Sequence, residues 1–163
     1  MARIQTANGL SDSQSHSSGK HPRSSILEID SWMPGEIQAI SPLVERLMRV
    51  IEASQCVPGD EFDVELVLRE ALENAVLHGN QGDPRKKVHL RCRCGPGNEI
   101  TIVVTDQGRG FDFGKMVGND FTSDPAADHG RGIQLMKALM DDVHFERGGS
   151  EVHMRKRARN GAH

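Results

Sequence analysis

Between residues 25 and 156 the spacing of apolar positions changes period several times, and each change marks a new element. In SILEIDSW (25–32), Leu27 and Ile29 share one side and Glu28 and Asp30 the other, the period-two signature of a half-buried strand. MPGEIQAI reads as a turn with at most one helical turn. SPLVERLMRVIEAS then puts apolar residues at helical spacing, with Ser41 as N-cap and Pro42 as the first helical residue. CVPGD breaks that helix. Asp60 stands ready to cap the next, EFDVELVLREALENAVLHG, in which Val64, Leu68, Ala71, Leu72 and Ala75 share a face at about 100° per residue. NQGDPRK is a loop. KVHLRCRC and NEITIVVT are strands joined by a hairpin at Gly95-Pro96-Gly97-Asn98, and DVHFERGGSEVHMRK is a second hairpin turning at Gly148-Gly149. Between them lies a long Gly- and Asp-rich stretch, then the helix IQLMKALM, which starts at a glycine cluster; a loop of that length inside a compact domain usually serves function or moves. The order is not a strict strand–helix alternation. It predicts an α+β fold, a two-layer sandwich with a mixed, mostly antiparallel sheet covered by helices on one face.

Composition adds boundaries. Residues 1–24 are rich in Ser, Gln, Gly and His, with almost no large apolar residues, and read as a disordered tail; residues 25–156 form the domain, and 157–163 a frayed basic tail. The chain has 163 residues, 36% hydrophobic and 26% charged, with net charge −3, so nothing in the bulk points to nucleic acid or a membrane surface. No apolar run would span a bilayer, and the first twenty residues lack a signal core, so a cytoplasmic location is expected. Three cysteines, an odd count, argue against a disulfide framework and fit a reducing compartment.

Several residues are candidates for chemistry. Cys92 and Cys94 share a strand face with Val88 and Leu90, which reads as core rather than half of a zinc site. His89, His144 and His153 have the opposite parity from Leu90, Phe145 and Met154, so they face solvent and receive no role. The long helix is more informative. Glu70, Asn74 and His78 recur every fourth residue and form a polar stripe that drifts towards the apolar face, with Glu73 opposite. Asn is a poor helix-interior residue because its amide competes for the backbone. A polar rim would explain this stripe by itself, but two further motifs accompany it. In VVTDQGRGFD a strand runs into Asp106, Gly108 and Gly110, which can set a carboxylate in a pocket with backbone close to a ligand. In DHGRGIQLM, Gly130 and Gly132 precede a helix whose free N–H groups suit an anion. No GxxxxGK[ST] is present, so the site is not a P-loop.

In this order and spacing, the three motifs resemble the GHKL, or Bergerat-fold, ATP-binding superfamily of gyrase, histidine kinases and mismatch-repair ATPases. REALENAVLHGN is similar to its N-box, DQGRG to its DxGxG box and HGRGIQLM to its second glycine box. The size and the ending MDDVHFERGGSEVHMRK resemble the anti-sigma factor serine/threonine kinase branch, with the likeness covering about residues 26–156. The resemblance implies ATP and Mg²⁺ as cofactors. It implies Asn74 as a Mg²⁺ ligand, Glu70 as general base, and Asp106 as acceptor for the adenine amino group. Gly108 and Gly110 would pass close to the base, residues 111–129 would form the lid, and Gly130, Arg131 and Gly132 would cradle the phosphates. His78 would continue the N-box towards the phosphates, while Asn80 more plainly ends the helix.

The same resemblance implies a partner-switching kinase that phosphorylates a STAS-domain anti-sigma factor antagonist, binds a sigma factor and forms a homodimer. It departs from the pattern where phosphate-transferring members often carry a basic residue: here Asp128 and His129 precede the second glycine box. That keeps open an alternative, an ATP-dependent sequestering module with little or no phosphoryl transfer. A histidine kinase fragment is disfavoured, since nothing before residue 26 reads as a helical hairpin. A gyrase-like ATPase is disfavoured too, since no second domain follows to supply a catalytic Lys.

Overall fold

The computed structural model describes residues 3–7, 26–110 and 128–159. Its strands are β1 (Arg3–Ala7), β2 (Ile26–Pro34), β3 (Lys87–Gly95), β4 (Glu99–Thr105), β5 (Asp142–Glu146) and β6 (Glu151–Arg157). Its helices are α1 (Ile40–Ser54), α2 (Glu61–Asn74) and α3 (Asp128–Leu139), with a 3₁₀ turn before α1 and another between β5 and β6. The strands form one six-stranded sheet in the order β1-β2-β3-β4-β6-β5, antiparallel at every described pairing. This is the α+β two-layer fold the pattern predicts.

Register explains why the sheet has one wet face and one dry face. Ile29, Cys92, Ile102, Met154 and Val143 stand opposite one another across five strands. One pleat away in each strand, Asp30, Arg91, Val103, His153 and His144 make the corresponding row on the other face. The first row is buried but for the partly buried Val143, because α1, α2 and α3 cover it with Leu43, Val44, Leu47, Ile51, Val64, Leu68, Leu72 and Met136. A one-residue slip of any strand would turn its core residues into solvent, so this pattern fixes the register strongly.

The structure corrects several local expectations. Arg3–Ala7, read as part of a disordered tail, pairs along β2. A backbone ladder on an open sheet edge needs little from side chains, which is why a polar sequence concealed it. Residues 8–25 lie outside the description. Helix α1 starts at Ile40 with Ala39 as its cap residue, so Ser41 and Pro42 sit within the first turn, and the Ser41 hydroxyl accepts a bond from Arg69 instead (3.2 Å). Asp60 precedes α2 but makes no side-chain cap bond. It is buried, accepts the Arg159 backbone N–H at 2.9 Å and lies 3.5 Å from Lys156 Nζ. Lys156 Nζ in turn contacts Asp63 at 2.9 Å and donates to the Leu139 carbonyl at 2.6 Å, pinning the start of α2, the end of α3 and β6 together. The basic tail thus begins inside the fold, with Arg157 in β6 and the Ala158 N–H bonded to the Asn98 carbonyl.

The cysteine argument also changes. Cys56 and Cys94 form a disulfide with their Cα atoms 5.6 Å apart, because the turn after α1 lies at the end of β3. Counting cysteines cannot reveal such a pair when a third is simply core: Cys92 stays a free thiol, pushed up to about 12 by burial. The count therefore says nothing of the compartment. Among the described residues, no helix is long and apolar enough to cross a membrane.

Candidate functional site

The site is built where the end of α2 meets β4, α3 and the β5–β6 turn. Helix α2 does not stop at Asn74. It widens into a π-helical turn, Ala75–Gly79, closed by the Asn80 N–H on the Ala75 carbonyl (2.7 Å). Such turns often re-aim side chains at functional sites. Here the stripe Glu70, Asn74 and His78 is half-buried while Glu73 is exposed, so the stripe faces the interior edge that its spacing predicts.

Beside it is an apolar slot lined by Ala71, Asn74, Ala75, His78, Val104, Asp106, Ile133, Met136, Phe145, Gly149, Ser150 and Val152, with a cavity volume of about 70 Å³. One water needs about 10–15 Å³ by that measure, so the slot has room for several waters. Val104, Val152 and Phe145 form its sheet wall, being paired in register.

Asp106 supplies the polar end of the slot. Strand β4 ends at Thr105, and the Asp106 N–H holds the chain to the Ser150 carbonyl at 2.9 Å. Its carboxylate accepts the Gly108 N–H at 2.7 Å. Burial raises its pKa, against weaker lowering by the Gly108 bond and the Lys86 charge. A carboxylate has about four acceptor sites, so one that accepts the Gly108 N–H in an apolar slot has capacity for a further donor on a ligand.

Glycine is required around it by close approach. A side chain on Gly79 would run into the Asp106 carboxylate, and one on Gly108 into the Gly79 carbonyl. Gly110 has φ +72° and abuts the Gly148 carbonyl. Asn80 ties the two motifs together: its Oδ1 accepts the Gln107 N–H at 2.9 Å and its Nδ2 donates to the Lys87 carbonyl at 3.2 Å. Ending the helix, its plainer assignment, is thus half its role. Full burial of a polar residue at a helix end is the signal that could have revealed the other half.

The second glycine box differs from its expected form. Gly130 and Gly132 lie inside the first turns of α3, not before it, since the helix begins at Asp128. The reason is packing. A side chain on Gly132 would meet Glu70 Oε2 and approach Asn74 Nδ2 at 3.3 Å, so the missing side chain lets α3 back onto α2. Glu70 therefore sits at the slot's rim, beside Gly132, rather than in its lining. Burial and then the neighbouring Glu73 charge raise its pKa. Arg131 is exposed on the same turn. Of the lid 111–129, residues 111–127 lie outside the description.

The geometry thus joins Asn74, His78 and Asp106 in one slot, with Glu70 and Gly132 at its rim and Gly108 packed behind the floor. Phe145, Gly149, Ser150 and Val152 were not legible as site residues. They come from the last hairpin, and nothing local marks a hairpin that folds against a distant helix.

An antiparallel sheet covered by helices on one face, with an apolar slot ending in a carboxylate and a glycine-bearing helix at its rim, is the arrangement of the GHKL fold class. The sequence profile of the histidine kinase-like ATPase domain matches residues 33–156. Among curated proteins, the chain is 32% identical over 100 residues to the anti-sigma F factor of Clostridium acetobutylicum, covering 58% of this chain and 68% of that one. It is 26% identical over 125 residues to the serine-protein kinase RsbW of Bacillus velezensis, covering 73% and 78%. It is 30% identical over 90 residues to the RsbW of Bacillus subtilis, covering 52% and 56%. The chain belongs to the histidine kinase-like ATPase domain family, among its anti-sigma kinase-like members.

Proposed function

We propose that this protein is an ATP-dependent serine/threonine protein kinase of the anti-sigma factor type, phosphorylating a STAS-domain antagonist and binding a sigma factor. The observation that carries the reading is the placement of Glu70 and Asn74 one turn apart on α2, both against Gly132 at the rim of the Asp106 slot. The relatives named as anti-sigma F factors and serine-protein kinases support the same class.

Bound MgATP would supply the γ-phosphoryl group. The chain's residues fit it on chemistry: an apolar slot for the base, a carboxylate for its amino group, and oxygen donors of the kind Mg²⁺ takes. Asp106 would accept from the adenine amino group and disfavour guanine, which presents a carbonyl there. Asn74 would hold the ion, with His78 beside it, while the start of α3, with Gly130, Arg131 and Gly132, would face the phosphates. Glu70 would accept the proton lost by a partner's Ser or Thr hydroxyl as its oxygen bonds phosphorus and ADP leaves. A base with a raised pKa is better matched to that task at neutral pH than an ordinary Glu.

Transfer of radiolabel from ATP to a STAS-domain protein tests this directly. Glu70→Gln should keep ATP affinity and lose about 10²–10⁴-fold in transfer rate. Asn74→Ala should lose both. Transfer at full rate in Glu70→Gln would end the general-base assignment. No transfer by the unmodified chain, with partner binding that still depends on ATP, would favour the sequestering module to which Asp128 and His129 point.

A further inference from the structure

The outer face of the β5–β6 hairpin carries a second constellation, unrelated to the slot. His144 and His153 stand directly opposite in register, and their rings stack with centroids 4.8 Å apart and planes 12° from parallel. Glu146 bridges them: its two carboxylate oxygens lie 3.5 Å from His144 Nε2 and 3.5 Å from His153 Nε2. One ligand atom from each of the three residues falls within 4.8 Å of the others. We propose that His144, His153 and Glu146 form a binding site for a divalent transition-metal ion of the zinc class.

The donor set selects the ion. Two imidazoles and one carboxylate suit Zn²⁺ and its Irving–Williams neighbours, whereas Mg²⁺ and Ca²⁺ take oxygen. The spacing agrees. Tetrahedral Zn²⁺ with bonds of about 2.0–2.1 Å holds its ligand atoms roughly 3.3–3.4 Å apart. Glu146 presents a different oxygen to each ring at nearly that length, and taking one atom from each residue the triangle spans up to 4.8 Å and closes by rotation of the half-exposed His144 ring.

Outer contacts orient the ligands as carboxylates commonly orient metal-binding imidazoles. Asp142 Oδ2 lies 3.3 Å from His144 Nδ1. Glu151 Oε1 meets the ligating nitrogen itself, His153 Nε2, at 2.8 Å, a hydrogen bond that the ion would replace as the carboxylate moves out to ligand spacing as a fourth donor, and the Thr105 hydroxyl donates to the other Glu151 oxygen at 2.7 Å. Strand β5 is the last strand of the sheet, paired only with β6 among the described residues. An ion here would clamp that edge strand directly behind Phe145 and Val152, which line the slot on the opposite face.

The test uses the full chain, stripped with chelator and titrated with ZnCl₂ in a calorimeter. The unmodified chain should bind one equivalent more than His144→Asn/His153→Asn, and its melting temperature should rise with Zn²⁺ by more than the double variant's. Millimolar Mg²⁺ should not compete. Glu146→Gln should weaken the site at least tenfold, and Asp142→Asn, which acts through His144, about tenfold or more. Co²⁺ should give the visible absorption of a tetrahedral ion in the unmodified chain and lose it in the double variant. His144, Glu146 and Asp142 are exposed but His153 is partly buried against Glu151, so each variant's melting temperature is first measured without metal and the Zn²⁺-dependent rise is read against that value. Equal stoichiometry and affinity in unmodified and double-variant protein, or displacement of Zn²⁺ by Mg²⁺, would overturn the site.

Discussion

The two faces of the β5–β6 hairpin depend on different things. The inner face, with Val143, Phe145, Val152 and Met154, has no use until α2 and α3 cover it; only then does it become the wall of a slot. The outer face completes its polar cluster almost within the hairpin, with the Thr105 hydroxyl of the neighbouring strand holding Glu151 from outside it. One side of the same ten or so residues is therefore a tertiary product and the other nearly a local one. The slot should be sensitive to changes far away in the chain. The cluster should survive them so long as the hairpin stays paired.

The largest expected break comes from the scaffold. Lys156→Ala leaves Asp60, 5% exposed, and Asp63 without their buried cation. Removing one partner of a buried pair costs about 3–5 kcal/mol. Here about 3 kcal/mol is expected, since Asp63 is partly exposed and Arg159 remains near both. Denaturant unfolding should show it, with nucleotide binding lost in step. Full stability in that variant would detach the slot from its supposed anchor.

Asp106→Asn separates function from stability. Losing a buried hydrogen bond and leaving its partner unpaired costs about 1–3 kcal/mol, so ATP affinity should fall roughly 5- to 150-fold in calorimetry. The empty protein should be no less stable. Burial raises the Asp106 pKa when folded, so the folded state holds the proton more tightly than the unfolded chain and ionisation at neutral pH opposes folding. Stability from this group should therefore rise as pH falls through the raised value, and be complete below the ordinary 3.8. Glu70 has the same sign, its pKa being raised mainly by burial. A variant that binds ATP as before removes Asp106 from the base site; one that melts much earlier makes it a structural residue.

A smaller effect concerns pH and rate. If Glu70 is the general base proposed above, the transfer rate should fall on the acid side through a pKa above the 4.5 of an ordinary Glu, because a base works only when deprotonated. Glu73→Gln should move that limb back towards 4.5, since the Glu73 charge is one of its two causes. A limb that ignores Glu73 would assign the ionisation to another group.

The smallest effect is expected on the outer face away from the histidines. Arg93→Ala touches neither core nor slot and should change stability by no more than about 0.5 kcal/mol. A larger loss would mean that the wet face of the sheet is covered by something.

The sequence by itself determined what a period can encode. The buried face of α2 was legible because helical spacing places Val64, Leu68, Ala71, Leu72 and Ala75 together whatever they pack against. Both hairpins were legible because Gly97, Gly148 and Gly149 adopt positive φ that few residues tolerate. The Glu70–Asn74–His78 stripe and the carboxylate after β4 were local signals too, and the family likeness rests on them. Tertiary structure decided everything that joins residues without a common period. It bonded Cys56 to Cys94, turned Asp60 from a cap into a partner of Lys156, and welded Asn80 to the Gln107 backbone. It set α3 one turn earlier, because a helix can begin before its glycines when one of them must let a neighbouring Glu70 in. It brought His144 opposite His153, since alternation tells which face a strand residue takes but only strand pairing tells what stands beside it there.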